Sequence, residues 1–430
     1  MAEGEVTSST VEKYDFVIFG ATGFTGKYVV EEVARIADEE PGLTWAIAGR
    51  SMEKLQAVLE AASKHTEKNL SQAPILIADI NSEQSLLAMC KQARVLLNCV
   101  GPYRFYGDQV VRACIEAGAN HIDISGEPQF LEKTQLLYNG KAKEVGVYMV
   151  GACGFDSIPA DMGTVYTQQK FEGDLNHVES FVNIHSGPEG IAGHFATFES
   201  AVHGFAHASE LKDLRKQLHP TPVPRSNHKM PKRSTIFESK EANSHCVPFP
   251  GSDRSVVNRS QRYFYEKKKL RPVQFNAYFC RPSYWSAVLT VIAGVIFGVF
   301  ASFSLGRTLL LKFPSLFSFG IFSHQGPTKK QIDGTTFSMT FVGEGFSKEI
   351  SDPDVQHEEA PDKRIVTKVV GPEPGYVTTP ICMVQAGLVL LKEKNKLPSG
   401  GGVFSPGAAF AETTLIERLD KHNVKFQTVE

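Results

Sequence analysis

The chain reads as an α/β protein: a doubly wound parallel sheet at the front, a second α/β domain behind it, and an apolar membrane-associating insertion in that second part. Three observations predict this. The stretch from Tyr14 to Val30 is an apolar strand, a glycine-punctuated turn and the start of an amphipathic helix. Apolar strands then alternate with helical stretches roughly every 25–30 residues, the rhythm of a parallel sheet with crossover helices. From Pro282 to Gly306 there is no charged residue at all.

Length and charge narrow the function. A chain of 430 residues suffices for about two or three domains and a large core. Its 45 Lys and Arg stand against 47 Asp and Glu, and the basic residues are spread out, which argues against a nucleic-acid partner. The seven cysteines, at 90, 99, 114, 153, 246, 280 and 382, form no C-x-x-C and lie largely in apolar runs. That fits reduced, buried thiols in a cytosol-facing protein rather than a disulfide framework or a zinc site, so no metal is expected. Met1-Ala-Glu-Gly-Glu-Val6 has no basic or apolar region of a signal peptide, and no Arg-rich presequence follows, so secretion is not expected.

The front of the chain carries the chemistry. Phe16 to Phe19 reads as a buried strand, and a helix runs on to about Ala37. Between them lies Gly20-Ala-Thr22-Gly23-Phe24-Thr25-Gly26, with glycines at G-x-x-G-x-x-G. One glycine takes the positive φ of the turn. One lets the backbone approach a pyrophosphate, and the last lets helix and strand pack closely. The free N–H groups of the helix then hold the phosphate charge. Spacing alone is weak, but a strand before and a helix after make it a Rossmann dinucleotide fingerprint rather than an unliganded turn.

The next strands supply the rest of the candidate site. Leu43 to Arg50 is the second strand, ending Gly49-Arg50-Ser51. Folds that use NAD usually place an acid there. A guanidinium suits a 2′-phosphate, so NADP (as NADPH) is the expected cofactor. Alternatively Arg50 only caps a surface turn. Pro74 to Asp79 is the third strand, and Asp79 either accepts from the adenine amine, caps a helix starting near Ser82, or both. The fourth strand and its loop span Ala93 to Tyr103, so Asn98, Gly101, Tyr103 and Tyr106 fall where the nicotinamide half belongs. A helix over Gln109–Ala117 follows. His121 to Glu127 and Val147 to Asp161 are the fifth and sixth strands with polar loops, the last carrying Asp156.

Asp123-Ile-Ser-Gly126-Glu127, Gly154-Phe-Asp156-Ser-Ile-Pro159 and Asn98-Cys-Val-Gly-Pro-Tyr103, after the glycine loop, resemble the saccharopine dehydrogenase superfamily. Ile184 to Gly190, Phe322 to Thr328 and Gly402 to Phe410 resemble its animal branch, the saccharopine dehydrogenase-like oxidoreductases. That branch is also similar to bacterial trans-acting enoyl reductases, which reduce lipidic intermediates. The resemblance runs from about Tyr14 to Phe426. It implies a Rossmann domain whose chain leaves for an α/β substrate domain and returns at the C-terminus.

The second half is read in pieces. Val178 to His185 is a strand and His194 to Ala208 a helix. His203 and His207 have metal-ligand spacing, but no third ligand accompanies them, and solvent-facing histidines explain them equally well. Residues 219–260 are rich in Pro, Ser, Lys and Arg and read as a long loop or partly disordered insertion. Tyr263-x-x-x-Lys267 and Tyr265-x-x-x-Lys269 copy a catalytic pair of short-chain dehydrogenases, but they sit in a lysine run after a loop and read as coincidence. The uncharged run from Pro282 is long enough for a bilayer's hydrocarbon. A monotopic hairpin on a membrane or lipid droplet fits better than a crossing. A buried core helix and an oligomer interface, such as a homodimer's, are the alternatives. Thr336–Gly343 and Arg364–Val370 alternate like antiparallel strands, and a helix opens near Gly375 and runs to about Lys392.

The expected domains are 1–160 for the dinucleotide, 161–281 for the first part of the substrate domain, 282–323 for the apolar segment, 324–395 for the second part, and 396–430 returning to the first domain. The expected function is an NADP-dependent oxidoreductase moving a hydride to or from a lipidic substrate at a lipid droplet or a cytosol-facing membrane, with mitochondria left open. Tyr103, Tyr106 and Asp156 are the candidate proton donors, the phenols ranked first because an Asp at a strand–loop–helix junction more often caps. The alternatives are a silent nucleotide-binding scaffold and true saccharopine chemistry. The latter needs a cationic clamp, and no Lys or Arg occurs from Phe171 to Leu211.

Overall fold

The computed structural model describes residues 13–155 and 157–429, so Asp156 lies outside the described residues. Six parallel strands come first: β1 (Tyr14–Phe19), β2 (Trp45–Gly49), β3 (Ile75–Ile77), β4 (Ala93–Asn98), β5 (Asn120–Asp123) and β6 (Tyr148–Val150). The second half adds β7 (Asp174–His185), β8 (Gly193–His194), β9 (Phe237–Ser239), β10 (Ser244–Pro248), β11 (Gln274–Arg281) and β12 (Phe322–Ser323). β13 (Thr336–Phe346), β14 (Lys363–Pro372), β15 (Gly402–Phe404) and β16 (Lys425–Thr428) complete the set.

The first sheet has the order β15-β6-β5-β4-β1-β2-β3. Its strand order reverses between β1 and β4, the switch point above which ligands bind in such sheets. The apolar run of β1 is buried on both faces for a simple reason. Side chains alternate, so Phe16 and Ile18 join one core with Val29 and Val33 of the helix Phe24–Ile36. Val17 and Phe19 join another with Val110 and Cys114 of the helix Tyr103–Ala117. Both faces are thus covered by helices, as a parallel sheet requires.

The second sheet is mixed, in the order β16-β14-β13-β7-β11-β10-β9. Its centre is the antiparallel pair β7 and β13, with Met339 opposite Val182. The last segment of the chain serves both sheets. β15 pairs in parallel with β6, and β16 pairs antiparallel with β14.

Two local expectations are corrected. Residues 219–260 are not one long loop: they hold β9, β10 and the start of a helix, Asp253–Tyr263. Cys246 and Val247 are buried by pairing with β11, and Val256 and Val257 by the helix's inner face. The helix expected at Gln109 starts at Tyr103, one and a half turns earlier, so Tyr103 and Tyr106 sit on a helix rather than in a loop. The helix Thr379–Lys392 is apolar, yet the stretch containing it is 78% buried, so it is a core element.

The uncharged run behaves differently. It forms the helix Tyr284–Ser302, capped by Ser283 and Ser286, and only 11% of its apolar window is buried. The reading of it as a core helix is therefore wrong. The helices Ser304–Lys312 and Pro314–Phe317 fold back beside it, with Phe300 against Phe317 at 5.1 Å. Trp285 is 73% exposed and Phe319 80%, with Leu289, Leu305 and Leu316 also open.

Candidate active site

The cleft of about 2000 Å³ between the two sheets is bounded by the C-terminal ends of the first sheet's strands. Gly20 has φ +83°, and a Cβ there would stand 2.7 Å from Val100 Cγ2. A Cβ on Gly26 would stand 2.2 Å from the Gly20 carbonyl oxygen. The first glycine is thus required by its backbone angle and the last by close packing. Gly23 is the N-cap of the helix Phe24–Ile36 and lays no side chain over the first-turn N–H groups. Thr22, Phe24 and Thr25 line the cleft beside it.

Arg50 lines the cleft at the end of β2, exposed, and its side chain bonds to nothing among the described residues. It does not cap the turn. Ser51 does that work for the helix Met52–Thr66, accepting from the Lys54 N–H at 3.4 Å. Asp79 Oδ1 accepts from the Asn81 N–H at 3.0 Å and from Asn81 Nδ2 at 3.2 Å, so it shapes a turn whose Ile80 and Asn81 form the wall. The helix behind is capped by Ser82.

At the end of β4, Asn98 is fully buried. Its Oδ1 accepts from the Val100 N–H at 3.1 Å, its Nδ2 lies 3.2 Å from His121 Nε2, and its carbonyl accepts from the Tyr103 hydroxyl at 2.8 Å. Asn98 therefore holds the loop, while Gly101 faces the cleft. Tyr103 is 6% exposed, and burial, helped by the Asp123 carboxylate, pushes its phenol well above the usual range. Tyr106, three residues on, is half-buried and lines the cleft, with its hydroxyl bonded to nothing among the described residues.

Several further groups position the site. Glu127 is buried; its Oε1 accepts from the Tyr103 N–H and the Ser200 hydroxyl, its Oε2 from the Arg104 N–H. Behind it, burial raises Asp123 to about 7 and lowers His121 to about 3. The carboxyl still accepts from the Ser125 and Ala152 N–H groups at 2.9 and 3.0 Å. Phe24 stacks on His194 at 4.5 Å and meets Tyr376 edge-on at 4.9 Å. His203 and His207 are engaged otherwise than on a metal: His207 Nδ1 lies 2.9 Å from the His203 carbonyl, and the His203 ring meets Phe105 edge-on. The Tyr265 hydroxyl donates to Asp354 at 2.7 Å, on the surface.

The helix Phe195–Ala206 forms the far wall. Ala196, Thr197, Ser200, Ala201, Gly204 and Phe205 share one face and line the cleft. Phe198 and Val202 point the other way, into a small core with Ala301 and Leu310 of the apolar hairpin. Phe205 meets Phe297 of that hairpin at 5.3 Å.

Residues 16–150 match the family model described as "Saccharopine dehydrogenase NADP binding domain". With the cradle at the sheet's switch point, this places the protein among the Rossmann-type oxidoreductases that take a nicotinamide dinucleotide. More narrowly, the chain belongs to the saccharopine dehydrogenase-like oxidoreductases. It is 51% identical over 421 residues to "Saccharopine dehydrogenase-like oxidoreductase" of Homo sapiens, covering 97% of each chain. It is 40% identical to "Lipid droplet localized protein" of Caenorhabditis elegans, over 97% of this chain and 98% of the other. Its fold is that of the apo saccharopine dehydrogenase (L-Glu forming) of Saccharomyces cerevisiae, at a TM-score of 0.53 and 12% identity, covering 96% of this chain and 99% of that one.

Proposed function

We propose that the protein is an NADPH-dependent reductase of a lipidic C=C or C=O group, working at a lipid-droplet or cytosol-facing membrane surface. The observation that carries this reading is the helix Phe195–Ala206. One of its faces walls the cleft, and the other is packed under an apolar hairpin that the rest of the protein leaves open. The naming of the worm relative for lipid droplets supports the same location.

The cradle fits the cofactor. Gly23 leaves the first-turn N–H groups of the helix Phe24–Ile36 uncovered by a side chain, and unpartnered Arg50 stands where a 2′-phosphate needs a fork of donors. Reduced nicotinamide supplies a hydride when bound. The protein's part is to hold the acceptor and to give a proton where charge develops. Tyr103 spends its hydroxyl on Asn98, so in this reading it positions the loop. Tyr106 is the proton donor that faces the cleft, with Asp156 the remaining candidate. Glu127 fixes both tyrosines by anchoring the first turn of their helix.

The test is NADPH oxidation with lipid enones and ketones presented in vesicles. Oxidation by wild type and its loss in Tyr106→Phe are expected. NADPH bound with no oxidation across the panel would favour the nucleotide-binding scaffold instead.

A further inference from the structure

The cleft has a cationic lobe away from the cofactor cradle. Arg225, Lys229, Lys232 and Arg254 line it, and none of them makes an ion pair or side-chain hydrogen bond among the described residues. Arg259 forms its floor. It is 6% exposed, its Nε donates to Gln135 at 2.7 Å, and its buried Nη1 donates to nothing. Burial pulls its pKa down against the attraction of Glu132, Asp161 and Asp123. A buried guanidinium with a free N–H is costly unless an anion completes it.

Glu132, Asp161 and Asp123 attract Arg259 from nearby, but no carboxylate hydrogen-bonds to it among the described residues. Three carboxylates line the cleft among the described residues. Glu127 caps the helix that begins at Tyr103. Glu132 is held by Arg215 at 2.8 Å and by the Ser255 hydroxyl at 2.6 Å. Glu373 accepts from its own turn, at the Gly375 and Tyr376 N–H groups.

Nor are these cations placed for the cofactor's phosphates. The helix Asp253–Tyr263 is bolted to the helix Pro128–Val145 through Ser255–Glu132 and Arg259–Gln135, and Ser252 meets Ser157 at 3.0 Å. Arg254 and Arg259 therefore adjoin the ends of β5 and β6, while the segment carrying Lys229 and Lys232 is tied to β7 at Asn176 and Glu179. Arg50 stands at β2, with β1 and β4 between.

We propose that this lobe is the acceptor's headgroup subsite, and that the acceptor is a lipid carrying a phosphate ester. The phosphate meets Arg259 and the rim cations, which suit a group of up to about two negative charges. The acyl chain lies along Ala201, Gly204 and Phe205 toward the apolar hairpin, which Phe205 touches through Phe297. That this lipid is the hydride acceptor rests on the function proposed above; that the lobe binds it does not. The missing clamp for an anionic substrate is thus supplied by residues 225–259, well past the stretch that lacks Lys and Arg. A tricarboxylate such as saccharopine would use the same cations but has nothing to lay against Phe205.

The test is calorimetry on the full-length, NADPH-saturated protein with four soluble probes: dihexanoyl phosphatidic acid, dihexanoylglycerol, inorganic phosphate and saccharopine. The phosphatidic acid should bind at least tenfold more tightly than each of the others. The rim double variant Lys229→Glu/Arg254→Glu should weaken it at least tenfold and leave NADPH affinity unchanged. Arg259→Gln should do the same; if that variant does not fold, the exposed rim pair still decides. Equal binding of dihexanoylglycerol, or an unaltered rim variant, would overturn the subsite. Inorganic phosphate or saccharopine binding as tightly as the phosphatidic acid would overturn the lipid assignment. Phosphatidic acid bound at the lobe, with no NADPH oxidation by any enone or ketone of the vesicle panel, would support the subsite and count against the reductase reading alone.

Discussion

Glu127, at the end of the loop after β5, caps a helix it does not belong to: its carboxylate accepts from the Tyr103 N–H at 2.9 Å and from the Arg104 N–H at 3.0 Å. The first bond is buried and the second partly buried, and both are charge-assisted, so they are of the stronger kind. Glu127→Ala should cost about 1–3 kcal/mol, read by urea denaturation. Glu127→Gln, which keeps one acceptor oxygen, should cost less. Equal stability of wild type and Glu127→Ala would show that the cap is idle.

The two tyrosines on that helix should separate by phenotype. Tyr106→Phe should lower kcat about 10²–10⁴-fold with NADPH affinity nearly unchanged. Tyr103→Phe removes the bond to the Asn98 carbonyl and should cost about 0.5–1.5 kcal/mol of stability, with a much smaller effect on kcat. Asp156→Asn completes the comparison. If Tyr103→Phe is the inactive variant, the proton donor has been assigned to the wrong residue.

Cofactor choice should follow Arg50. NADPH should bind about tenfold or more tightly than NADH, since a charge-assisted phosphate contact contributes about 1.5–3 kcal/mol. Arg50→Glu should abolish or reverse that order. Fluorescence titration giving the same affinity for both cofactors in wild type would remove Arg50 from the site.

Membrane binding should reside in the outward face of the hairpin. Deleting Tyr284–Phe322 would also strip the cover from Phe198 and Val202, so point changes are the better probe. Trp285→Ser, Leu289→Ser and Leu316→Ser together alter exposed positions only. Wild type should float with vesicles or droplets and the triple variant should not, while both bind NADPH. A wild type that is soluble and monomeric without detergent would refute this.

Asp123 makes stability depend on pH. Its ordinary value of 3.8 is raised to about 7 in the folded protein, chiefly by burial. The folded state thus keeps a proton that the unfolded chain has released, and stability falls as pH rises from about 4 to about 7. The penalty at the upper end is on the order of 4 kcal/mol. Asp123→Asn keeps an acceptor for the Ser125 and Ala152 N–H groups, so it should flatten this slope. Asp161, also raised to about 7, contributes a second part that the variant leaves in place. An identical pH slope in wild type and Asp123→Asn, measured by thermal melts, would count against a buried proton here.

The first sheet was legible because its signals are local. An apolar run, three glycines and a helix start all lie within Tyr14–Val30, and each later strand repeats the apolar run. What the sequence hid were partnerships over long separations. The cap on Tyr103 comes from a residue 24 positions away, so nothing near Tyr103 marks a helix start. Asn98 carries the right residue type in the right loop, yet its three bonds turn it away from the cleft. Residues 219–260 look like a linker by composition, because a short strand such as β10 needs only two buried residues, Cys246 and Val247, one on each face. Their cations gain meaning only when the fold lines one cleft with them and Arg259.

The final strands hold a consequence for anyone dividing this protein. A fragment that stops at the helix Thr379–Lys392 lacks both β15 and β16. Its loss leaves β6 as a raw border on one sheet and β14 on the other, each offering a row of unpaired N–H and C=O groups to a neighbouring chain. An isolated cofactor domain ending near residue 150 has the same raw border at β6. The two halves are stitched by one closing thread, so thermal unfolding should proceed as a single transition rather than domain by domain.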